Sequence, residues 1–105
     1  MKFVEFRGIP NSAVAHQGPL TVGAAAVTLA SLLSGGALHA ATRFVEITVE
    51  TDDVRLTVQG TTPTATLGRL VLADSSRVLS RAEADTAKLI RVTTDAAIQV
   101  TQYIN

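Results

Sequence analysis

The chain reads as an all-β protein, an antiparallel β-sandwich or jelly-roll-like barrel with one short helix near residues 81–88. Three observations predict this. Apolar and polar residues alternate with period two in several short runs. Gly, Pro, Asn and Asp punctuate those runs at intervals of roughly 8–12 residues. The apolar content, 47% of 105 residues, is mostly Ala, Val and Leu, with three Phe, one Tyr and no Trp. Such small side chains bury little area each, so the core is expected to be thin for a domain of this size.

The first run, Lys2–Arg7, alternates and predicts a short strand. Gly8 to Pro19 contains Pro10, Asn11, Ser12, Gly18 and Pro19, which reads as an extended arm. The expected organisation is therefore a strand and arm over 1–19, followed by a β-sandwich over 20–105. Between Gly8 and Thr42 there is no Asp, Glu, Lys or Arg. Val22–Leu33 has the composition of a signal-peptide core, with Leu38-His39-Ala40 as a loose cleavage site. The preceding region, however, is long, contains Glu5, Pro10 and Pro19, and carries little positive charge. A membrane helix is interrupted by Thr28, Ser31, Ser34, Gly35 and Gly36. The favoured reading is an internal β segment, Leu20–Leu33, followed by a Gly35-Gly36 turn.

From Phe44 the alternation is clear. Val45, Ile47 and Val49 share one face, with Glu46, Thr48 and Glu50 on the other. Thr51-Asp52-Asp53 supplies turn chemistry, and Val54, Leu56 and Val58 continue the pattern, predicting an antiparallel hairpin. Gly60–Gly68 breaks it with Pro63, which cannot donate to a ladder. A strand follows at Arg69–Ala73, a turn at Asp74-Ser75-Ser76, and a further strand through Arg77–Leu79. Ser80-Arg-Ala-Glu83 is a capping box, predicting a turn or two of helix. Leu89–Thr93 and Ala96–Ile104 predict a second hairpin across Thr94-Asp95.

The search for chemistry excludes more than it finds. Nine basic and nine acidic residues are spread without clustering, unlike the basic stripe of a nucleic-acid binder. The absence of cysteine removes disulfide and thiolate chemistry. His16 and His39 lie in loop-like sequence with no partner at ligand spacing. Glu50, Asp52 and Asp53 read as a solvated turn. Arg55, Arg69, Arg77 and Arg91 are expected opposite the apolar faces. Thr48, Thr57 and Thr101 suggest a flat polar face. No nucleophile elbow, Walker sequence or dinucleotide fingerprint occurs. No catalytic, cofactor or metal residue is therefore assigned, and the chain is expected not to be an enzyme.

The run Arg55–Gly68, with the preceding Phe44–Asp53 and the closing Leu89–Tyr103, resembles a group of small tailed-phage virion proteins. Arg55, Gly60, Thr62, Pro63, Thr64, Ala65 and Gly68 match their strand-and-loop, with Gln59 departing from the usual Asp. Ser80–Ala84 matches their SRAEA-like turn. The likeness covers about sixty residues and fades towards the N-terminus. A similar loop also occurs, as a structural turn, in immunoglobulin-like accessory domains of bacterial carbohydrate-active enzymes. The resemblance implies a capsid cement or decoration protein on the virion surface. Its implied partners are the major capsid protein and itself, as a trimer or dimer, with neither nucleic acid nor membrane. The alternative is a head–tail connector, or a tail- or fibre-associated carbohydrate-binding module. The expected docking residues are Phe3, Phe6, Ile9, Pro10, Val14 and Pro19, all in the N-terminal arm.

Overall fold

The structure, a computed structural model, describes residues 13–104. Eight strands form two four-stranded sheets: β1 (Ala13–Val22), β2 (Val27–Thr28), β3 (Phe44–Val49), β4 (Val54–Thr57), β5 (Arg69–Val71), β6 (Ser75–Ser80), β7 (Lys88–Arg91) and β8 (Ala96–Tyr103). The strand order is β1-β8-β3-β6 in one sheet and β2-β7-β4-β5 in the other. All pairs are antiparallel. Each pair of consecutive strands, β1/β2, β3/β4, β5/β6 and β7/β8, contributes one strand to each sheet. That connectivity is the eight-stranded double-sheet jelly roll.

Alternation builds both sheets. Val45, Ile47 and Val49 of β3 are buried, as are Ile98 and Val100 of β8, against Val54, Leu56 and Leu89 of the opposing sheet. The core consists of Val, Leu, Ile and Ala, with no aromatic ring among its described members. Phe44 and Tyr103 instead stack on each other with centroids 5.2 Å apart.

Both expected hairpins are corrected. β3 and β4 belong to different sheets, and so do β7 and β8. Period-two alternation fixes which face of a strand is buried but not whether the next strand lies beside it or across the core. Here the links are arches held by distant partners. The Thr51 hydroxyl accepts from Ala97 N at 2.9 Å, and the Asp53 carboxylate accepts from Ala73 N at 2.8 Å. The Asp53 carbonyl accepts from Val92 N at 3.2 Å. Asp53 is thus an anchor rather than part of a solvated turn.

The N-terminal region also differs from expectation. Residues 13–19, expected in an arm, form most of β1, which pairs with β8 along its length through two register irregularities. The expected Lys2–Arg7 strand lies outside the described residues. The expected β segment Leu20–Leu33 is broken into the end of β1, the short β2 and a helix α1 (Leu29–Leu32). Thr28 caps α1, its hydroxyl accepting from Ser31 N at 3.2 Å. Gly35 and Gly36 then turn the chain at φ of 76° and 71°. The expected helix is present as α2 (Arg81–Thr86), with the full Ser80–Glu83 capping box.

α2 also holds the segment that precedes β3. Arg81 donates through Nη1 to the carbonyls of His39 and Thr42, at 3.0 and 2.9 Å, and through Nε to Asp85 at 2.9 Å. Behind it, Gln102 is buried at the end of the core. Its Oε1 accepts from the Thr42 hydroxyl and from His39 N, each at 2.8 Å.

Candidate functional site

The loop Gly60–Gly68 and the edge formed by β5 and β6 create a concavity. β5 spans three residues against six in β6, so part of β6 has no strand across from it. Leu56 from one sheet and Leu79 from the other floor a cleft of about 330 Å³. Val58 and Leu67 add apolar wall, while Thr57, Thr61, Arg69 and Glu83 give the rim its polarity. Leu67 is 51% exposed at the lip.

The loop that walls the cleft is tied down from within the sheet. Arg55 donates through Nε to the Ala65 carbonyl at 3.2 Å and through Nη1 to the Gly68 carbonyl at 3.0 Å. Thr64 and Leu67 exchange backbone hydrogen bonds, and the Thr64 hydroxyl accepts from Leu67 N at 2.9 Å. Pro63 is fully buried beneath the loop. Gly68 sits at φ 123°, where a Cβ would lie 3.1 Å from a Thr57 methyl and 3.3 Å from the Leu56 carbonyl. Only glycine meets both demands without strain. Of the seven residues shared with the resembled loop, Arg55, Pro63, Thr64 and Gly68 make these shaping contacts.

Two arginines stand at this edge on the inward side, contrary to the expectation that they lie opposite the apolar face. Arg69 pairs in register with Leu56 and is two residues from the buried Val71; Arg77 pairs with Ile47 and is two residues from the buried Leu79. They are equally spaced before and after Ala73 in the β5–β6 link. Among the described residues the ion pairs are Arg81–Asp85 and Arg91–Asp95, and neither Arg69 nor Arg77 has an acidic partner. Arg77 Nε is buried and lacks a hydrogen-bond partner among the described residues. Inward charge on an edge strand opposes sheet-to-sheet pairing there. The sequence carried the signal, since Arg77 and Leu79 share parity, as do Arg69 and Val71. Arg91 shares parity with Leu89 but ends β7 and turns to Asp95. Arg55 does face outward, as expected.

The outer face of the β1-β8-β3-β6 sheet is polar and broad. His16 lies in β1, not in a loop, with Nδ1 2.7 Å from the Thr101 hydroxyl and Nε2 2.9 Å from Gln99 Oε1. Gln99 Nε2 in turn donates to Glu50 at 3.2 Å. Gly18 leaves room for the Gln99 amide to lie across β1. Thr48 and Thr101 belong to this face, and the Tyr103 hydroxyl donates to Glu46 at 3.4 Å. Burial foremost, then the Glu46 charge and that hydrogen bond, raise the Tyr103 pKa above its ordinary 10.0. His39 is exposed, its Nδ1 accepting from Ala41 N at 3.1 Å.

The expected docking residues divide. Val14 and Pro19 lie in β1, half-buried and exposed respectively, and are sheet residues rather than arm. Phe3, Phe6, Ile9 and Pro10 lie outside the described residues.

Fold and site together define a jelly-roll domain whose distinctive surfaces are a broad hydrogen-bonded polar face and an apolar edge cleft rimmed by arginine. Among the described residues no three His, Asp or Glu gather as a metal site, and no helix is long and apolar enough to cross a membrane. Compared with family models, curated proteins and solved structures, the chain matches none.

Proposed function

We propose that the chain is a structural component of a phage virion, a cement or decoration protein that binds the major capsid protein and stabilises the shell. The observation that carries this reading is the Arg55–Gly68 strand-and-loop, which resembles that of small tailed-phage virion proteins and here shapes the edge of a jelly roll. Jelly rolls recur among viral capsid domains, and also among lectins and cupins, so the architecture supports the reading only at the level of class. The broad polar face on β1, β8, β3 and β6 suits repeated contact with a neighbouring subunit. Weak contacts of this kind gain strength through symmetry and multivalency.

The test is the copy number in purified particles, by quantitative mass spectrometry against the major capsid protein. Near-stoichiometric abundance is expected. A few copies per particle would transfer the chain to a connector or fibre role, and absence from washed particles would refute the virion reading.

A further inference from the structure

We infer that the outer faces of the two sheets are complementary docking surfaces for further copies of this chain. The smaller sheet of one copy lies on the larger sheet of the next, so that molecules stack head to tail. This inference concerns the chain alone and does not rest on the virion reading.

Charge divides between the two faces. Strand residues that alternate with buried neighbours point outward. On the larger sheet the outward charged residue is Glu46 of β3, between the buried Val45 and Ile47. Glu50 follows β3 and accepts from Gln99 on the same face. On the smaller sheet the outward charges are Arg55 of β4, between the buried Val54 and Leu56, and Lys88 of β7, between the buried Ala87 and Leu89. Among the described residues none of these four charges belongs to an ion pair. Their own-chain contacts are to neutral groups: Glu46 to the Tyr103 hydroxyl, Arg55 to the Ala65 and Gly68 carbonyls, Lys88 to the Thr62 hydroxyl. One face is therefore acidic and the other basic.

Exposed apolar side chains stand beside these charges. Leu70, 39% exposed, is the cross-strand neighbour of Arg55, and Val78, 58% exposed, is the cross-strand neighbour of Glu46. Neighbouring strands lie about 4.8 Å apart, so each face presents an apolar group and a charge at one common spacing. Laying one face on the other brings Leu70 onto Val78 and Arg55 onto Glu46 together. Leu72, two residues beyond Leu70 and 54% exposed, widens the apolar contact.

The same charges oppose the two-fold alternatives. Pairing two larger sheets sets an acidic face against an acidic face, and pairing two smaller sheets sets basic against basic. Like charges so placed cost affinity. Strand addition at the β5–β6 edge is opposed by the inward Arg69 and Arg77. The heterologous contact escapes both penalties; it yields a ring where its rotation closes and a filament where it does not.

Sedimentation of the whole chain over a concentration series at low salt is the test. Association is expected, as a closed oligomer or as indefinite growth, and added salt should weaken it. Glu46→Lys blocks the larger sheet's face and Leu70→Asp the smaller sheet's. Each should raise the apparent Kd about tenfold or more, with a melting temperature close to that of the parent. Val78→Ser, an uncharged change on the larger sheet, should also weaken association. An equimolar mixture of Glu46→Lys and Leu70→Asp should associate again, through the one intact face of each. A parent chain that stays monomeric throughout the series would overturn the proposal. So would a variant that associates as the parent does, which would give the contact to a single face, or a mixture no more associated than its components.

Discussion

Replacing Gln102 with leucine should destabilise the protein more than removing the hydroxyl it binds. Gln102 Oε1 accepts from the Thr42 hydroxyl and from His39 N, both at 2.8 Å, and Thr42 is only 2% exposed. In Gln102→Leu the Thr42 hydroxyl stays buried without an acceptor, at a cost of about 1–3 kcal/mol, and His39 N loses its bond for about 1 kcal/mol more. The added apolar burial offsets about 1 kcal/mol of this, leaving a net loss of about 2 kcal/mol. In Thr42→Val, Gln102 keeps the His39 contact, so the loss is about 1 kcal/mol, the net worth of one hydrogen bond. The double substitution removes donor and acceptor together and should cost about 1 kcal/mol less than the sum of the singles. Urea unfolding at constant m-value measures all three; thermal midpoints should fall roughly 4–8 °C per kcal/mol. The reasoning fails if Gln102→Leu costs less than Thr42→Val, or if the two effects simply add.

Two further perturbations test other contacts. Ser80→Ala deletes the hydroxyl that accepts from Glu83 N at 3.2 Å, and should lower stability by about 1 kcal/mol; an unchanged urea midpoint would remove the cap from the account. Tyr103 is the single tyrosine in a chain without tryptophan, so phenolate absorbance reports it alone. Its pKa is raised on folding, so the unfolded chain ionises first as pH rises. The folded state then holds more protons, and stability, at its full value below pH 10, falls above it. Glu46→Gln should shift the absorbance titration of the folded protein downward, and an upward shift or none would exclude Glu46 as a cause.

What the sequence discloses about this fold is local. The buried faces of β3, β4 and β8 follow from alternation, the start of α2 from its capping box, and the Gly60–Gly68 break from Pro63 and its glycines. What escapes it depends on partners far along the chain. Thr51 and Asp53 look like ordinary turn residues, yet they bond to Ala97 and Ala73, and those bonds accompany an arch where a hairpin was expected. β1 was obscured for a related reason. Pro and Gly near its centre argue for a loop, but Gly18 and Pro19 fall at a register irregularity between Gln17 and Leu20, where the ladder to β8 is interrupted anyway. The site was less legible still, because the cleft arises from a mismatch in length between β5 and β6, which no motif encodes.

The same mismatch explains why charge stands where core would be expected. β5 stops at three residues, and the Gly60–Gly68 loop lies where a longer strand would continue. At the inward positions of this edge Arg69 is exposed, able to lay its stem on apolar surface and keep its head in water, whereas Arg77 is half-buried with its Nε covered. Arg69 and Arg77 therefore guard an edge against sheet extension while keeping it attractive to a carboxylate. A partner that fits must add side chains to the cleft without adding a strand to the sheet. Docking by a whole β edge is disfavoured for the same reason.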